Sequence, residues 1–76
     1  MNKEKRKELN EITNKLEDYK FQLELIMDSE QMSFDSLNEG LQSTMRGRAM
    51  EEAIDQIDEA ISLIDDAIEH IRDAAI

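Results

Sequence analysis

The chain holds one histidine, His70, with Asp66 four residues before it on the same face of any helix. A di-metal helical bundle wants a glutamate three residues before the histidine, repeated on a second helix, with further inward glutamates. Position 67 is Ala67, so that motif is absent and His70 reads as a surface histidine. The aspartates after residue 50 do not alternate around a central glycine, as a calcium loop requires. Ser29, Ser33, Ser36 and Ser43 have no histidine base in reach of a loop elbow. There is no cysteine, so neither a thiolate nucleophile nor a disulfide is available. Neither a phosphate loop nor a dinucleotide fingerprint is present. Three aromatics, Tyr19, Phe21 and Phe34, leave little with which to line a cofactor pocket. These residues predict a non-enzyme with no cofactor and no metal, and point to surfaces rather than to a reaction centre.

The elements that carry those surfaces are two long helices. Leu9, Ile12, Leu16, Tyr19, Leu23 and Ile26 follow steps of 3, 4, 3, 4, 3. Ile54, Ile57, Ile61, Ile64, Ile68 and Ile71 repeat the same steps. Both series are a/d heptad seams, and neither fits the period of a strand. No proline interrupts them. Helix 1 is expected over about residues 3–36 and helix 2 over about 44–75, with a connection over about 37–43. Ser43 or Thr44 is the expected N-cap of helix 2, and Asn38 and Gly40 are turn formers. Leu37 and Leu41 are expected to fold back over the end of the hairpin. The expected fold is all-α: an antiparallel two-helix hairpin.

Size and pattern extend this to a dimer. A chain of 76 residues buries only about 60% of its unfolded surface, so a lone core is marginal. Phe21, Leu25 and Met32 fall outside the seam of helix 1, as does Leu63 on helix 2. They form the candidate second interface, most simply that of a homodimer making a four-helix bundle. Helix 2 is also an internal repeat, AIDQIDE, AISLIDD, AIEHIRD. Its Ala53, Ala60, Ala67 and Ala74 recur every seven residues, each just before an a position. That recurrence predicts close approach of a neighbouring helix, although alanine is also simply the best helix former.

The net charge is −10, and it is unevenly placed. Residues 1–20 hold six bases and five acids, whereas residues 49–76 hold nine acids and one base. Asp55, Glu59, Asp66, Glu69 and Asp73 are expected on the outer side of helix 2, where steps of three or four residues put carboxylates about 5–6 Å apart along the axis. Such a row is either a solvated face that keeps the hairpin soluble or a partner face that imitates the phosphate spacing of DNA. The charge makes direct binding of nucleic acid or of an anionic membrane unfavourable. No apolar run reaches the length of a membrane span and no signal peptide is visible, which predicts a cytoplasmic protein. Antiparallel packing is expected to bring Lys3, Lys5, Arg6 and Lys7 near Glu69 and Asp73. Continuing the helix 1 seam puts Glu30 at an a position, where pairing with Arg46 or Arg48 is expected. Glu30, Phe34, Arg46 and Arg48 are therefore a candidate polar site at the hairpin tip, the one irregular part of the chain.

From Asp28 to Glu59 the chain reads DSEQMSFDSL, then LQST and RGRAMEEAID, leading into the AI-rich heptads; it opens MNKEKRKELNEI. In these stretches it resembles a group of small acidic proteins, mostly uncharacterised, of Firmicutes phages and prophages. The group commonly has proline near Asn38 and an acid near Met45; this chain departs at both points. The resemblance implies an accessory role in the bacterial cytoplasm and a protein partner, and it assigns no catalytic residue. A structural adaptor, and a nucleotide sponge using Arg46 and Arg48, are the other open readings.

Overall fold

The computed structural model describes residues 1–76. Three helices follow in chain order: α1 (Lys3–Asp35), α2 (Glu39–Gln42) and α3 (Met45–Ala74). Each opens on a side-chain cap. Asn2 accepts from Lys5 N at 2.8 Å, Asn38 from Leu41 N at 2.9 Å, and Thr44 from Gly47 N at 3.3 Å. Thr44, not Ser43, is thus the cap of α3, and the expected connection contains a one-turn helix. α1 and α3 lie antiparallel as a hairpin, 58 × 15 × 11 Å in Cα extent. That is one layer of two rods, with no third element covering either broad face.

The tip is closed by backbone as much as by side chains. Gln42 Nε2 donates to Phe34 O at 3.3 Å and to Leu37 O at 3.1 Å, satisfying carbonyls at the end of α1. Gly47 is buried where the first turn of α3 packs against the end of α2. A Cβ there would lie 2.7 Å from Leu41 O and still closer to the Gln42 carbonyl. Glycine is required for this close approach and not for its dihedrals, since no residue has a positive φ. Leu37 is half-buried as expected, but Leu41 is 49% exposed and does not cover the hairpin end.

The core is thin. Four of the 76 residues are buried: Thr13, Gly47, Ile61 and Ile68. On α3 the expected isoleucine seam, Ile54, Ile57, Ile61, Ile64, Ile68 and Ile71, is buried or half-buried throughout, and Gly47, Met50 and Ala60 are buried or half-buried beside it. On α1 the register differs from expectation. Leu9, Leu16 and Leu23 face α3, but their companions are Thr13, Lys20 and Met27. Ile12, Tyr19 and Ile26 are instead 46%, 59% and 56% exposed. With Leu9 as a, α1 packs on columns a and e, and its d column turns aside. Thr13 tolerates burial because its hydroxyl donates within the helix to Asn10 O at 2.9 Å. The alanine column also falls outside the contact: Ala53, Ala67 and Ala74 are exposed and Ala60 is half-buried. With Ile54 as a, alanine occupies g, about 90° around α3 from the α1 contact.

Candidate functional site

Three surfaces were candidates: the tip, the outer acidic face, and the apolar residues outside the seam. At the tip, Phe34 is half-buried and lines an open groove of about 290 Å³ with Gln31, Glu51, Ile54 and Asp55. Arg46 and Arg48 do not line it. They flank buried Gly47 and point into solvent. Glu30 is half-buried, but it makes no ion pair with Arg46, Arg48 or any other base, against expectation. The reason is placement: Gly47 packs against the end of α2, and its neighbours lie about 100° to either side of that face. Of the candidate polar site only Phe34 lines the groove, whose charged residues are Glu51 and Asp55.

The charges that do cross the hairpin lie midway along it. Lys20 Nζ sits 2.7 Å from Asp65 Oδ1 and 3.2 Å from Glu17 Oε2, with its side chain 19% exposed. Arg72 Nη2 sits 3.3 Å from Glu17 Oε1. Lys20 lays its stem along the seam and brings its ammonium out at one flank. Its hydrogen bond to Asp65 first, then that to Glu17, hold this ammonium above its ordinary 10.5, against a smaller opposing effect of desolvation. These pairs set Glu17 level with Arg72 and Lys20 with Asp65. Ile76 is thereby level with about residue 10. Lys3, Lys5, Arg6 and Lys7 overhang the end of α3, and none of them pairs with Glu69 or Asp73. In place of that expected neutralisation the hairpin has the Glu17–Lys20–Asp65 and Glu17–Arg72 pairs.

The outer face of α3 is as expected in placement. Asp55, Glu59, Asp66, Glu69 and Asp73 are all exposed and none is in an ion pair. His70 is exposed beside them. Phe21, Leu25, Met32 and Leu63 are 58%, 53%, 73% and 58% exposed, so the hairpin leaves them uncovered. The seam reading missed three further exposed residues, Ile12, Tyr19 and Ile26. The signal was present: apolar residues occupy more columns of α1 than one neighbour can cover.

The fold defines the class of molecule, an all-helical hairpin with an acidic arm and uncovered apolar surface, and no helix is long and apolar enough to cross a membrane. Comparison with family models, with curated proteins and with solved structures finds no match.

Proposed function

We propose that this chain is a binding protein and not an enzyme: it pairs with a second copy into a four-helix bundle and presents the outer face of α3 to a basic protein partner. The observation that carries the partner face is the row of five exposed, unpaired carboxylates at Asp55, Glu59, Asp66, Glu69 and Asp73. Asp55 and Glu59, and Asp66, Glu69 and Asp73, form two groups with carboxylates about 5–6 Å apart along the axis, separated by about 10 Å; on a rigid rod they present charge in the manner of a nucleic-acid strand, which suits a groove built for DNA. The resemblance to accessory proteins of phages and prophages fits the same reading, with the bacterial cytoplasm as the setting. A nucleotide sponge is disfavoured, because the groove beside Phe34 is lined by Glu51 and Asp55 and by no base.

Capture from bacterial lysate with the tagged full chain tests this, alongside an Asp55/Glu59/Asp66→Lys variant. The expected result is capture of a basic, DNA-handling or defence protein that weakens with salt and is lost in the variant. Capture indifferent to both salt and charge reversal removes the acidic-face reading and leaves a structural adaptor.

A further inference from the structure

Burial falls column by column across each long helix. On α1 the e column (Thr13, Lys20, Met27, Phe34) is buried or half-buried, the a column (Leu9, Leu16, Leu23) is half-buried, and the d column (Ile12, Tyr19, Ile26) is exposed. On α3 the a column holds both buried isoleucines, Ile61 and Ile68; the d column (Ile57, Ile64, Ile71) is half-buried, and the alanine g column is mostly exposed. A stripe of three columns is what a helix with two neighbours at right angles requires; a two-stranded hairpin uses only two.

The two exposed columns share one side of the hairpin. The ion pairs place Glu17 of α1 and Asp65 and Arg72 of α3 on one flank. At about 100° per residue the d column of α1 and the g column of α3 both fall on the opposite flank. By the level of those same pairs, Ile12 lies beside Ala74, Tyr19 beside Ala67 and Ile26 beside Ala60.

We infer that this flank, and not the patch of Phe21, is where a second copy docks, with both hairpin tips at the same end and α1 of each copy over α3 of the other. The inference rests on the four-helix reading above and specifies its geometry. Area supports a second copy: a compact monomer of this mass exposes about 4,800 Å², whereas the hairpin exposes 5924 Å². The excess exceeds the roughly 800 Å² that each partner contributes to a standard interface. Shape and charge select the arrangement. A twofold axis along the bundle sets the large d column of one copy over the alanines of the other. It also sets the strongly acidic α3 against α1, the less acidic arm, whose residues 3–35 hold six bases and nine acids. The alternative, tips at opposite ends, stacks α3 on α3, large column on large column and acid on acid. In the chosen packing the two Glu30 carboxylates approach the bundle axis and oppose association, while Phe21 stays in solvent.

Sedimentation equilibrium at tens of micromolar is expected to give about twice 8.8 kDa. Ala67→Lys, at a site exposed in the hairpin, should weaken the dimer at least about tenfold with helicity by circular dichroism retained. Phe21→Ser should leave the dimer within about twofold, and Glu30→Leu should tighten it. The chain has no cysteine, so Glu39→Cys takes a single label. Tip-to-tip distance between labels should fall within about 25 Å, given interaxial spacings of about 8–10 Å. A dimer with tips near the 58 Å arm length apart, or one lost in Phe21→Ser but kept in Ala67→Lys, overturns this interface and leaves the four-helix reading standing. A monomer at every concentration overturns both.

Discussion

Gly47 and Lys20 are the residues whose single atoms matter most to the hairpin. At Gly47 a methyl group meets backbone carbonyls of Leu41 and Gln42, which cannot rotate away as a side chain would. Gly47→Ala should therefore destabilise the fold by about 2–3 kcal/mol despite alanine's better helix propensity, as measured by urea unfolding. Lys20 makes a pH prediction. Its proton is held more tightly in the folded chain than in the unfolded one, so its contribution is full below 10.5 and is lost as pH rises through the higher folded value. The melting temperature should fall along that alkaline limb in the native chain. In Lys20→Met, which keeps the stem and removes the charge, the limb should flatten. An unchanged limb would show that Lys20 is not its source.

At the scale of the helices, stability depends on caps and on a seam with few buried members. Thr44 satisfies one of the orphan N–H groups that open α3. Thr44→Ala should cost about 1 kcal/mol and speed amide exchange in residues 45–47 ahead of the rest of α3. Ile68 is 2% exposed and Ile61 8%. Ile68→Ala should cost about 2–4 kcal/mol, a large share of what so small a core supplies, and shift the denaturation midpoint accordingly. α3 was readable because isoleucine fills both of its seam columns without a break. α1 was misread because two interleaved series share Leu9, Leu16 and Leu23. One adds Ile12, Tyr19 and Ile26; the other adds Thr13, Lys20 and Met27. Apolar type favours the first, and the hairpin uses the second, with its crossing ion pairs on the adjacent flank.

The molecule as a whole is a charged rod. Few ion pairs hold its arms, whereas residues 49–76 carry nine acids against one base. Self-repulsion along α3 should therefore outweigh attraction between charges. Raising salt from about 10 mM to about 300 mM, which shortens the screening length from about 30 Å to below 10 Å, should raise the melting temperature. A fall would mean that the Lys20 and Arg72 pairs dominate instead. The tip was legible only in part. Turn residues marked where the chain reverses, but the charged residues of the groove beside Phe34 are Glu51 and Asp55, with Arg46 and Arg48 to either side of the face that Gly47 packs against α2.

The order of residues by itself determined two uninterrupted helices, their reversal near Asn38, the isoleucine seam of α3 and the exposed acidic row beyond it. Each of these follows from local periodicity and from residue types that tolerate only one environment. Only the tertiary structure decided which columns of α1 meet α3, which charges cross between the arms, and which side of the hairpin is left apolar. Rotation of one helix about its axis costs little in local energy. It is fixed by burial between residues far apart in the chain, Thr13 on one arm and Ile61 and Ile68 on the other, which only the fold brings together.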